Sequence, residues 1–185
     1  MRTLSDITAL DLSQCGGKAM QLARLAQEGL PVPDAVVLPV SAFVDALRTH
    51  GLLQRAQAVA DGTSDPGLAD AIRAMPLSPA QRKEWTRRAK ALGPRVAVRS
   101  SGVDEDGTHT SFAGQHDSFL HVAHRDVPQA ILDCWASLYN ERALAYRHHG
   151  PAPGALAVLI QRQLAPRTAG VMFTINPLNG SWREM

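Results

Sequence analysis

The chain has 185 residues, of which 45% are hydrophobic and 19% charged, a composition that suits a globular domain and excludes disorder. Its net charge of +2 argues against a nucleic-acid partner, and two distant cysteines, Cys15 and Cys134, argue against a disulfide framework. No apolar run reaches the length of about 18 residues that a membrane helix needs, and MRTLSDITALDLSQ carries no signal-peptide core. The expectation is therefore a cytoplasmic protein with no membrane partner.

In chain order, Gly16-Gly17 precede a helical pattern over Lys18–Glu28, with Gly29 as its stop. Leu30-Pro31-Val32-Pro33 leads into a short strand, Ala35–Leu38, and Ser41 is read as the cap of a helix reaching His50. Residues 52–75 read as short helices broken at Asp61-Gly62 and Asp65-Pro66. Ser78-Pro79-Ala80-Gln81 has the form of a capping box with proline at the first helical position, which predicts a helix to Leu92. Its basic residues, Arg82, Lys83, Arg87, Arg88 and Lys90, read as a solvated face.

A β-type run, Arg95–Val98, then enters a stretch of Gly, Ser, Thr and Asp that ends where a second strand, Ser118–Val122, begins. Asp126-Val127-Pro128-Gln129 signals a long helix that buries Ile131, Leu132, Trp135 and Leu138 and ends near Gly150. Strands over Leu156–Leu164 and Gly170–Ile175 close the pattern, joined by Ala165-Pro166-Arg167-Thr168. Helices followed by strands mixed with one long helix predict an α+β fold or an α/β fold.

The most informative segment is VRSSGVDEDGTHTSFAGQHDSFL, from Val98 to Leu120. Long segments without structure of their own are usually functional. This one offers a guanidinium, hydroxyls and glycines, the groups that hold an anion. Arg99 is placed at the C-terminal end of a strand, where ligand groups tend to lie, with a structural salt bridge as its competing role. Ser100 and Ser101 lack a GxSxG frame, so hydrogen bonding to phosphate or backbone is preferred over nucleophilic attack. Asp104-Glu105-Asp106 reads as a solvated acidic loop.

Gly16-Gly17-Lys18 sets an ammonium at a helix N-terminus, where N–H groups favour anions, but Leu12 and Ala19 break the Walker A pattern. His116 and His121 flank a strand at odd separation and point to opposite faces, which argues against zinc for the His116, His121, His124 group. Gln161 sits in the apolar run beginning at Leu156 and needs a partner, in the core or on a ligand's polar edge. Trp135, Tyr139 and Tyr146 read as helix packing.

Together and in order, these segments resemble the N-terminal nucleotide-binding domain of the phosphoenolpyruvate synthase, pyruvate phosphate dikinase and rifampicin phosphotransferase family. The matching blocks are GGK-x2-QLA-x-L-x4-LPVP at 16–33, VRSS-x3-ED-x4-SFAGQ-x-DSFL at 98–120, and W-x-SLY-x2-RA-x-AYR at 135–147. VLIQRQL at 158–164 and GVMFTINPLNG at 170–180 continue them. Gln21, Gly102, His116 and Ser118 replace the family's usual Asn, Ala, Gln and Thr, and none of these changes removes a charge.

The resemblance implies an ATP-grasp fold with ATP between two lobes. Residues 1–164 would form the first lobe, a mixed sheet with flanking helices and a helical insertion at about 41–92. Residues 165–185 would begin a second lobe that is largely missing. It implies that Lys18 and Arg99 contact the triphosphate, that Gly114 and Ser118 approach phosphate or ribose, and that Gln161 meets the adenine. Mg2+ would draw its ligands mainly from the missing lobe.

The implied reaction passes ATP phosphate through a phosphohistidine domain to pyruvate or another small acceptor, with these domains in the same or another chain. No GG-x-T-x-HA motif occurs, and His109 does not substitute for it, so the chain alone is expected to transfer no phosphate. The alternatives are one subunit of a split enzyme and a non-catalytic module that binds a nucleotide or a protein.

Overall fold

The computed structural model describes residues 1–8, 11–102, 118–140, 156–170, 175–176 and 181. Its strands are β1 (Arg2–Thr3), β2 (Ala35–Leu38), β3 (Val96–Gly102), β4 (Ser118–Val122) and β5 (Leu156–Arg162). Its helices are α1 (Leu12–Gln27), α2 (Val40–Thr49), α3 (Leu53–Ala60), α4 (Leu68–Arg73), α5 (Pro79–Leu92) and α6 (Val127–Ser137). Short 3-10 turns occupy Leu4–Asp6 and His124–Asp126. The fold is α+β.

The five strands lie in the order β1-β2-β5-β3-β4, and each described pairing is antiparallel. The sheet expected as mixed is thus antiparallel, because β5 enters between β2 and β3 and opposes both. A central strand is covered on both faces and reads as a continuous apolar run. Leu156, Ala157, Val158, Leu159 and Ile160 are accordingly all buried, each at 0% exposure.

Side chains alternate across a strand, so the sheet divides into two faces. One carries Val36, Leu38, Val96, Val98, Leu156, Val158 and Ile160 and packs against α2–α6. At its centre the Trp135 ring stacks on Phe43 (centroids 5.1 Å apart) and meets the edge of Trp85 at 6.0 Å. The other face carries Ala35, Val37, Ala157 and Leu159 and packs against Cys15, Ala19 and Ala23 of α1. The result is three layers, with one helix on one side and five on the other among the described residues.

Local chemistry fixes several element ends. Ser78 Oγ accepts the Gln81 N–H at 3.2 Å while Gln81 Oε1 accepts the Ser78 N–H at 2.9 Å, completing the capping box of α5. Gly93, at φ 140, ends that helix, and Arg162 Nε donates to the Leu92 carbonyl at 2.8 Å, joining α5 to β5. By contrast, α2 starts at Val40 with Pro39 as its cap residue; the Ser41 N–H donates instead to Gln14 Oε1 at 3.2 Å. The Asp126 side chain makes no cap bond, because the 3-10 turn runs directly into α6. Among the described residues no helix is long and apolar enough to cross a membrane.

Candidate functional site on the α1 face of the sheet

The glycine pair lies inside a helical segment, not ahead of it. α1 begins at Leu12 and is interrupted at Gly16, whose φ of 72 and ψ of 169 are non-helical. A left-handed φ of this kind favours glycine. The position is also crowded, since a Cβ on Gly16 would lie 2.1 Å from the Ser101 carbonyl oxygen. Three residues on, the Ala19 N–H donates to Ser101 Oγ at 3.2 Å, in the buried interior. The helix N-terminus that was expected to face an anion therefore gives one of its first N–H groups to a side chain of β3. Gly16 is needed for this close approach of helix and strand, and Lys18 lies in the chain between the two residues that meet Ser101.

Arg99 lies in the middle of β3, paired with Leu159 of β5 and Ser118 of β4, and not at the strand end where it was expected. The register puts Arg99, Ser101 and Gln161 on the α1 face, with Gln161 opposite Ala97. Arg99 Nη1 donates to Gln161 Oε1 at 3.4 Å across this diagonal. Gln161 is 7% exposed, so the amide expected to need a partner has one in Arg99. Arg99 is half-buried and forms no ion pair with a carboxylate among the described residues. Ser118, opposite Arg99, is exposed.

These groups form a line. From Ser101 to Ala97, the partner of Gln161, is four residues of β3, or about 13 Å at the usual rise of a strand. Lys18 and Ser101 mark one end, Arg99 the middle and Gln161 the far end. A cleft of about 520 Å³ between α2 and the start of α5, and another of about 600 Å³ between the end of α1 and α5, include none of these residues.

Gly114, the acidic run Asp104-Glu105-Asp106, His109, His116 and Tyr146 lie outside the described residues, as do Val171–Thr174 of the expected last strand. His124 has a structural partner, its Nε2 lying 2.7 Å from the Gly93 carbonyl. Trp135 and Tyr139 are buried in the core as expected. Cys15 and Cys134 are buried free thiols, and burial pushes the Cys15 thiol up against the opposing pull of Arg2.

Two features were not anticipated from the sequence. Ser101 joins the two glycine-containing motifs, through a bond between residues 82 apart. In β4, His121 adopts φ 54 at an irregularity in the register between Val96 and Val98. Its N–H donates to Gln163 Oε1 at 3.1 Å and its carbonyl accepts from Arg95 Nη1 at 3.1 Å. Bulges of this kind re-aim side chains at sheet edges, and Ser118 and Leu120 next to it are exposed.

An α+β domain with an arginine that meets no carboxylate among the described residues, hydroxyls and a buried amide along one sheet face, and a lysine in the adjoining helix, has the groups needed to hold an extended phosphoanion. The family follows from comparison. Residues 12–185 match the family described as pyruvate phosphate dikinase, AMP/ATP-binding domain, and the chain belongs to that family.

Among curated relatives, the prodigiosin synthesizing transferase PigC of Serratia marcescens is 39% identical, over 96% of this chain and 20% of that protein. A rifampicin phosphotransferase of Streptomyces is 32% identical, over 97% of this chain and 23% of that protein. The phosphoenolpyruvate synthase of Aeropyrum pernix is also 32% identical, over 96% of this chain and 24% of that protein. The chain thus spans about a fifth to a quarter of the length of these relatives.

Proposed function

We propose that this chain is the ATP-binding part of a phosphotransferase, and that ATP lies along the α1 face with its triphosphate at Lys18 and Arg99 and its base at Gln161. The observation that carries the reading is Arg99, a half-buried guanidinium that donates to the neutral Gln161 amide and meets no carboxylate among the described residues. A charge taken out of water without a counter-charge is costly. A polyphosphate supplies that counter-charge through short, charge-assisted bonds. Ser118, exposed opposite Arg99, would add a hydroxyl toward phosphate or ribose, with Gly114 in the same role.

In phosphoryl transfer the protein acts mainly by positioning groups and neutralising charge. Here Lys18 and Arg99 would hold and neutralise the phosphates while Gln161 orients Arg99 through its Oε1. The phosphate would pass through a phosphohistidine domain to pyruvate or another small acceptor, with those domains in the same or another chain. The reading includes an ATP-grasp division, with 1–164 as the first lobe and 165–185 opening the second, and a cytoplasmic setting. Magnesium is part of the family expectation, but no three His, Cys, Asp or Glu side chains converge among the described residues.

The test is a thermal melt of the chain with and without ATP. Binding to the folded state alone contributes about 2.7 kcal/mol at 100 times Kd, so the expected result is a rise of several degrees that Arg99→Ala removes. An unmoved melting temperature at millimolar ATP would contradict the reading.

A further inference from the structure

We propose that Ser101 is a positioning residue that acts on nucleotide through Lys18, by clipping the restarted helix of α1 onto β3. The inference rests on the nucleotide reading of the same face. Three observations carry it. Ser101 Oγ accepts the Ala19 N–H at 3.2 Å, and Ser101 itself is fully buried. On the Lys18 side of this bond, Gly16 takes a left-handed φ of 72, and its backbone lies so close to Ser101 that a Cβ would sit 2.1 Å from the Ser101 carbonyl oxygen. On the strand side, Ser101 stands two residues beyond Arg99 and on the same face, by the pairing of Arg99 with Leu159 and Ser101 with Ala157.

The helix is therefore held at two points, a hydrogen bond at Ala19 and a backbone contact at Gly16, and Lys18 lies between them. Any shift of the helix start would carry the Lys18 backbone with it. The clip opposes that movement before any ligand arrives, which is the benefit of preorganisation. Without the hydroxyl, the Ala19 N–H is buried and unbonded, and the helix start gains by shifting toward another acceptor.

A merely structural serine would lower stability and leave the nucleotide contacts alone, so the test is a double-mutant cycle with Lys18. ATP affinity of the 185-residue chain is measured by isothermal titration calorimetry, at a temperature where circular dichroism shows each variant folded. Ser101→Ala is expected to weaken ATP binding about tenfold when Lys18 is present and to leave it unchanged in the Lys18→Ala background. Equal weakening in both backgrounds, or none with Lys18 present, overturns the proposal. If Ser101→Ala does not fold, Ser101→Cys, close in size but a poor acceptor, takes its place with the same expected pattern. A wild-type chain that binds no ATP removes the nucleotide reading and this inference together, whereas undiminished ATP binding by the Ser101 variant removes this inference alone.

Discussion

The sheet face under α2–α6 is closed by aliphatic and aromatic side chains, with Trp135 between Phe43 and Trp85, whereas the face beside α1 keeps Arg99, Ser101 and Gln161 among its covered positions. The same strands supply both faces: in β3, Val96 and Val98 point into the large core while Arg99 and Ser101 point the other way. This alternation lets one strand stabilise the domain and present charged groups without either role compromising the other. The apolar side holds the strands in register, and the register sets Arg99 against Gln161.

If the faces divide the work, they should break separately. The largest effect is expected from Trp135→Ala in the closed face, which should lower unfolding free energy by about 3–5 kcal/mol in urea titrations. The folded fraction should still respond to ATP. Arg99→Ala should invert that pattern, removing the ATP-induced rise in melting temperature while changing the ligand-free melt little, since the residue forms no ion pair among the described residues. Gln161→Leu should sharpen the comparison. Its apolar replacement suits the neighbouring run and leaves the fold intact, but Arg99 loses its acceptor, and ATP affinity should fall by up to about tenfold.

The smallest effect is expected far from both faces. Glu84, between Arg87 and Arg88 on exposed α5, is held down to about 2 from 4.5 by hydrogen bonds from Arg87 first and Arg88 second. A carboxylate held below its unfolded value contributes stability above about pH 4.5, and that contribution is lost as pH falls toward 2. Glu84→Gln should flatten this acid limb slightly, less so at high salt, and leave ATP binding unaltered.

The legible parts of the fold were those set by neighbours in sequence. The capping box at Ser78 and Gln81, the bounds of β2 and the burial of Trp135 follow from short-range rules, and each is observed. The parts that were not legible depend on chain segments meeting. Nothing local shows that β5 enters between β2 and β3, so the antiparallel sheet and the Arg99–Gln161 contact were not readable in advance. Gly16 reads in sequence as lying ahead of a helix, because its close approach to Ser101, 85 positions away in the chain, has no local signal. Lys18, Arg99 and Gln161 were singled out one by one from their chemistry. Their arrangement along β3 needed the register.

The most direct test of the two-face account is hydrogen-exchange mass spectrometry of the chain with and without ATP. The account predicts added protection at Gly16–Met20 and along β3, β4 and the end of β5, with α2–α5 unchanged. Protection confined to α2–α5, or no change anywhere at saturating ATP, would contradict it.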